Sequence, residues 1–256
     1  MEKSMNSEQP CPACGGTGWR RVEKDGISAV ERCDCAFERR RRALEERAGI
    51  PPRYREASFD NFSIVTPNPV TSRILSNAIT AARAYVRNFP FGNRKPGLLF
   101  VGGTGTGKTH LAVAVLRALI ARGHEGLFFL YQNLLERIQR SYNKDSGAAD
   151  RDAYQSALDC EILLLDDLGA HRITDWVEDT ITSIITHRCN HNKPIIATTN
   201  LRDPDAGDPP IPSGTAGELA GRYYLEERIG ARARSRLSEM CQIISTRGAD
   251  DYRRRC

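Results

Sequence analysis

Residues Gly102 to Thr109 read Gly-Gly-Thr-Gly-Thr-Gly-Lys-Thr, which fills every fixed position of the phosphate-binding loop pattern G-x-x-x-x-G-K-[ST]. Gly102, Gly103, Gly105 and Gly107 let the backbone curl until several N–H groups point at one anion. Thr104 and Thr106 lie between these glycines, and His110 follows the loop. Lys108 is placed for the β- and γ-phosphates of a nucleotide such as ATP, and the Thr109 hydroxyl for Mg²⁺. Asp166-Asp167 ends the aliphatic run Ile162-Leu163-Leu164-Leu165. Two adjacent carboxylates there are costly unless a cation sits beside them. Asp166 reads as the metal-holding acid, at the end of a strand beside the loop. Asp167 reads as the base that orients the attacking water. Asn200 ends a further apolar run and can donate an amide hydrogen bond toward the γ-phosphate or its water.

These residues need elements to hold them. Leu98–Val101 suits a buried parallel strand, and His110–Ile120 a helix whose N-terminal dipole faces the phosphates. Gly126–Tyr131 reads as a strand, Gln132–Tyr142 as an amphipathic helix and Cys160–Leu165 as another strand. Thr174 caps a helix over Asp175–Asn190. Lys193–Asn200 is a strand whose C-terminal end faces the ligand crevice of an open α/β sheet. Upstream, Thr71–Phe89 places Ile74, Leu75, Ile79, Ala82 and Val86 on one helical face. Phe59 and Phe62 precede it, and two roles compete for them: packing on an adenine base, or ordinary core. Four prolines and three glycines between residues 202 and 217 mark a mobile loop.

A second chemistry sits near the N-terminus. Cys11-Pro-Ala-Cys14 and Cys33-Asp-Cys35 are a C-x-x-C and a C-x-C pair. Two such pairs can close a tetrahedral Zn²⁺ site with no ligand position open, hence structural rather than catalytic. Trp19–Val22 and Ile27–Arg32 read as a hairpin, turning at Lys24-Asp25-Gly26, that brings the pairs together. So short a segment has too few apolar residues for a core, and a metal would supply on the order of 10 kcal/mol of folding energy. The helical stretch from Phe37 to Ala48 carries Arg39, Arg40, Arg41 and Arg42. It is either a solvated basic face or a contact surface for nucleic acid or a partner. Gly49-Ile50-Pro51-Pro52 stops it, and the expected division is a module over 1–50 and an α/β domain over 51–256.

Composition sets the outer limits. The chain has 256 residues, 40% hydrophobic and 27% charged, within the range of ordinary soluble α/β proteins. No apolar run approaches the ~20 residues of a membrane span, and the N-terminus has no apolar signal segment. A cytoplasmic location with no membrane partner is expected. The net charge of +5 permits nucleic-acid contact without demanding it. Eight cysteines in such a compartment argue against a disulfide framework.

With these motifs in place, the chain resembles the AAA+ ATPases of the bacterial helicase-loader group, of DnaC/DnaI and IstB type. The matching stretches are GGTGTGKTHLA at 102–112, ILLLDDLGA at 162–170, IIATTNL at 195–201, ARSRLSEMCQIIS at 233–245 and ADDYR at 249–253. The resemblance implies an α/β fold with a parallel sheet of order 5-1-4-3-2, flanked by helices, and no separate helical lid after Arg253. It implies Asn200 as sensor 1, Arg236 of the Ser-Arg-Leu triplet as a finger reaching a neighbouring subunit's nucleotide, and Arg253 as sensor 2. It also implies a homo-oligomer joined through its ATP interfaces, with the replicative hexameric helicase and single-stranded DNA as partners. The activity it implies is slow, partner-stimulated ATP hydrolysis that loads the helicase. An IstB-type transposition helper and a nucleotide-gated adaptor with negligible hydrolysis are the rival roles. One departure bears on the rate: Asp167 stands where typical members carry glutamate, and its shorter side chain should hold water less well.

Overall fold

The computed structural model describes residues 10–24, 26–64, 66–90, 95–141, 148–207 and 224–252. The apolar runs expected as strands form them, along with a fifth near the C-terminus. These are β3 (Gly97–Val101), β4 (Gly126–Leu130), β5 (Ile162–Asp166), β6 (Ile195–Thr199) and β7 (Cys241–Ser245), preceded by β1 (Trp19–Lys24) and β2 (Ile27–Arg32) of the N-terminal hairpin. Strands β3 to β7 make one parallel sheet in the order β4-β5-β6-β3-β7. Counted along the chain from β3, that is the expected 5-1-4-3-2. One expectation is corrected: β6, not β5, lies beside β3, so Asp166 is one strand further from the phosphate loop than a direct neighbour.

Side chains alternate across the sheet with the period of two that pleating imposes. Leu99, Val101, Leu163, Leu165, Ile195 and Ala197 face one core, packed under α4 (Tyr131–Ser141), α5 (Ala148–Asp159), α6 (Asp175–Asn190), α7 (Glu226–Ile229) and α8 (Ala231–Met240). Leu98, Phe100, Ile162, Leu164 and Ile196 face the other, with α1 (Asp34–Arg47), α2 (Pro69–Asn88) and α3 (Lys108–Ala121). Helices on both faces explain why β3, β5 and β6 are buried throughout.

Helix boundaries follow local chemistry. α6 has the expected span, and the Thr174 hydroxyl accepts from Val177 N–H at 3.3 Å. α2 begins two residues before the expected Thr71, because Asn68 caps it and Pro69 suits a first turn that needs no N–H. α5 had no expectation over it; its sequence is polar with weak periodicity. α1 begins at Asp34 rather than Phe37, so Cys35 stands in its first turn. Its far end docks on the sheet: Leu44 and Ala48 join the core with α3, and Phe128 N–H donates to the Ala48 carbonyl at 2.7 Å. Asp25 of the hairpin turn, Tyr142 at the expected end of α4, and residues 208–217 of the Pro/Gly loop lie outside the described residues.

Nothing in the sequence around Arg188, on α6, marks it for a special role. Its side chain is fully buried. It donates to the carbonyls of Ala157, Leu158, Cys160, Glu161 and Pro194 at 2.7–3.3 Å. One guanidinium thus ties α6 to the end of α5 and to the entries of β5 and β6. Burial pulls its pKa below the ordinary arginine value.

Candidate functional site

Because β3, β5 and β6 run parallel, their C-terminal ends deliver the phosphate loop, the two acids and Asn200 to one edge of the sheet. The loop is pinned before any ligand is considered. Gly102 N–H donates to the Thr199 carbonyl at 3.2 Å, and Thr106 Oγ1 lies 2.8 Å from Thr246 Oγ1 beyond β7. Gly107 has φ +88°, and a Cβ there would lie 2.5 Å from the Phe62 ring. Only glycine meets both demands, and α3 starts directly after it. The loop and the first turn of α3 present backbone N–H groups and a positive dipole end, which is an anion site.

Lys108 is nearly buried. Its ammonium donates to the Gly103 carbonyl and to Asn200 Oδ1, both at 2.6 Å. The Asn200 amide donates to Asp167 Oδ1 at 3.1 Å. Lys108, Asn200 and Asp167 therefore form one hydrogen-bonded chain across three elements. Thr109 Oγ1 donates to Asp166 Oδ1 at 2.8 Å. This all-oxygen pair of hydroxyl and carboxylate fits a hard cation such as Mg²⁺. Burial pushes the Asp166 carboxyl above its usual range, opposed by donation from Thr198 and Thr109; the neighbouring Asp167 adds to the rise. A divalent cation at that oxygen would offset the cost of keeping it charged. Asp167 adopts φ +54°, uncommon for a residue with a side chain.

The cleft over the loop has a volume of about 370 Å³. Its lining includes the expected loop residues Thr104 to His110 with Asp166, Asp167 and Asn200. Phe62 lines it, edge-on to His110 with ring centroids 5.2 Å apart. Phe59 instead lies under Arg83, whose guanidinium is 5.5 Å from the ring. Both aromatics pack at the edge of the core, and Phe62 lines the cleft as well. Arg53, Tyr54 and Tyr252, which no sequence motif marks as site residues, also line the cleft. They come from segments without regular periodicity, and only the fold brings them together. The C-terminal segment crosses the loop, with Tyr252 N–H donating to the Gly105 carbonyl at 3.0 Å. Arg253 lies outside the described residues.

The fold separates the arginines near the Ser-Arg-Leu triplet. Arg234 is buried; it bonds Asp203, Ser238 and, at 2.7 Å, Asp205. Burial opposes its charge, but the two carboxylates outweigh that and raise its pKa. It is internal glue. Arg236 is exposed on α8, held by Glu239 at 2.7 Å, in a groove with Thr182 and Ser183 of α6. It is not among the residues lining the cleft of its own chain.

The four N-terminal cysteines converge. All four sulfurs lie within 4.8 Å of one another, with Cys11–Cys33 at 3.8 Å and Cys14–Cys35 at 3.3 Å. Tetrahedral Zn²⁺ with bonds of about 2.3 Å requires sulfur separations of roughly 3.8 Å. Gly18 N–H donates to Cys14 Sγ at 3.3 Å, a contact that steadies a thiolate. Burial pushes the Cys14 thiol up, but donation from Gly18 and the other thiols brings it down to about 6; its hydrogen bond to Cys14 drives Cys35 up to about 12. The residues fit structural zinc. Elemental analysis of purified protein is expected to find one zinc per chain. Changing Cys11 and Cys14 to Ser should lose the metal and unfold the hairpin, as followed by Trp19 fluorescence; zinc retained in that variant would refute the site.

Among the described residues, no helix is long and apolar enough to cross a membrane. The family model described as IstB-like ATP binding protein matches residues 73–203. The replicative helicase loader DnaC of Escherichia coli strain K12 is 27% identical over 170 residues, covering 64% of this chain and 66% of that protein. The uncharacterized protein YqaM of Bacillus subtilis strain 168 is 26% identical over 228 residues, covering 85% of this chain and 64% of YqaM. The chain thus spans just under two thirds of the length of these relatives. The crystal structure of the DnaC helicase loader is similar with a TM-score of 0.58 and 31% identity, over 76% of this chain and 99% of that one. The crystal structure of DnaI shares the fold, with a TM-score of 0.56 and 20% identity over 81% of this chain and 98% of the other. The span matched by the family model holds the whole phosphate loop, both acids and Asn200, and the chain belongs to the IstB-like ATP binding protein family.

Proposed function

We propose that this chain is an ATP-hydrolysing loader of the replicative hexameric helicase onto single-stranded DNA, acting in the cytoplasm. The likeness to the DnaC helicase loader, at 31% identity over nearly all of that structure, carries the reading. In the proposed cycle the loop N–H groups and the start of α3 bind the ATP phosphates. Lys108 turns from Gly103 and Asn200 to the γ-phosphate. Thr109 and Asp166 hold Mg²⁺, which when bound neutralises developing phosphate charge. Asp167, oriented by the Asn200 amide, takes the proton of the attacking water. The module over 1–50 holds structural zinc and meets the partner, and the domain over 51–256 hydrolyses ATP. Arg236, which does not line the cleft of its own chain, completes a neighbour's site in a homo-oligomer, an arrangement worth ~10³–10⁵ in rate where such arginines are well characterised. Arg253 serves as sensor 2.

A second reading, a transposition helper of IstB type, is favoured by the family model itself. Turnover measured with purified helicase and single-stranded DNA decides between them. The helicase with DNA should stimulate wild-type turnover, and Arg236→Ala should retain nucleotide affinity but lose the stimulated part. Stimulation by a transposase and not by the helicase would transfer the assignment to the IstB reading. Indifference of turnover to every partner and to DNA would favour the nucleotide-gated adaptor.

A further inference from the structure

Thr198 lies on β6, two residues before Asn200, and is fully buried. Its hydroxyl donates to Asp166 Oδ1 at 2.7 Å and accepts from the Asp167 N–H at 3.0 Å. A threonine hydroxyl has one proton to give, and here the metal-holding carboxylate takes it. The Thr198 carbonyl also accepts the Leu168 N–H at 2.7 Å, and Thr199 Oγ1 donates to the Leu168 carbonyl at 2.9 Å. The turn that carries both acids is therefore held by β6 as well as by its own strand.

This fixation has a local purpose. Asp167 sits at φ +54°, a backbone state a side-chain-bearing residue keeps only when its surroundings hold it. In that state its carboxylate reaches the Asn200 amide. Asp166 Oδ1 receives two hydroxyl donors, Thr109 and Thr198, which together set the rotation of its carboxylate. One hydroxyl thus orients the side chain of one acid and the backbone of the other.

We propose that Thr198 is a positioning residue for ATP hydrolysis, coupling the metal-holding acid, the base and the Asn200 strand through its hydroxyl. The proposal rests on the ATPase reading above. Valine occupies nearly the same space without the hydroxyl, and serine keeps the hydroxyl without the methyl. In Thr198→Val, kcat should fall about tenfold or more, a larger change than any rise in KM for ATP, because the positioned acids act chiefly in the transition state. A fluorescent ATP analogue should bind this variant normally in EDTA but gain less affinity on adding Mg²⁺ than it does with wild type. Thr198→Ser should match wild type in both measurements.

Wild-type kcat in the valine variant, or an equal loss in the serine variant, would overturn the proposal. Should Thr198→Val not fold, the serine variant decides: turnover and Mg²⁺ response near wild type support the role, and a tenfold loss removes it. If the wild-type protein hydrolyses no ATP with any partner, the ATPase reading fails. The Mg²⁺-dependent affinity of the valine variant, set against wild type, then still decides whether Thr198 orients Asp166.

Discussion

Replacing Lys108 with alanine is expected to lower ATP turnover at least about 100-fold, the scale seen when a preorganised charge donor is removed from a reacting site. Lys108 is nearly buried at the N-terminus of α3, and its ammonium donates to Gly103 and Asn200. In the proposed cycle the substitution removes the cation that meets the γ-phosphate. It also takes from Asn200 the donor that helps aim its amide at Asp167. Affinity for ATP should weaken as well, since in the proposed cycle the lysine would contact phosphate in the ground state too. Turnover assays and fluorescent nucleotide titration, with a melting curve to show that the variant folds, check this. Turnover and affinity both unchanged would show that the loop does not bind ATP as assigned.

Arg188→Leu should destabilise the fold by about 3 kcal/mol or more, because buried carbonyls that lose a charged donor pay their desolvation in full. Five carbonyls lose a charged donor at once, those of Ala157, Leu158, Cys160, Glu161 and Pro194, although Leu158 keeps the Lys193 ammonium and Pro194 keeps the Leu163 N–H. In a domain of this size that corresponds to a melting point roughly 6–12 °C lower. Arg188→Lys should recover only part of the loss, since one ammonium has three donors at a single point and cannot reach all the carbonyls that the two terminal guanidinium nitrogens serve. Denaturant unfolding of the three proteins measures it. A leucine variant as stable as wild type would mean that water or rearranged side chains satisfy those carbonyls. The effect should reach the cleft, because Arg188 anchors the entries of β5 and β6, whose far ends carry Asp166 and Asn200.

Contiguous features were legible in the residues. The phosphate loop is a local object: its glycines, lysine and threonine act within a single turn between one strand and one helix. α6 was legible from end to end, because its cap and its apolar spacing lie within one segment. The cysteine pairs were legible because metal geometry restricts their spacing, and the hairpin supplies the convergence. The sheet order was available only through resemblance, since nothing in a strand's own residues names its neighbour. That is why Asp166 was expected beside the loop strand while β6 intervenes.

What only the tertiary structure decided are the contacts between distant residues. Arg188 reads in sequence as one more cation on a helix, yet it is buried among backbone carbonyls that carry no sequence signature. Arg234 and Arg236 are equivalent in the sequence, two residues apart in Ala-Arg-Ala-Arg-Ser-Arg-Leu. Helical geometry turns two such positions about 200° apart. Arg234 therefore meets Asp203 and Asp205 inside, and Arg236 faces outward. Thr198 and Thr199 look alike on one strand, but pleating sends them to opposite faces, and only Thr198 reaches both acids. The residue types and their spacing determined that this chain has a phosphate-binding loop, a pair of acids and four converging thiols. Which of the remaining polar side chains serve those groups depended on burial and strand order, because a buried hydrogen bond is specified by its surroundings rather than by its residue type.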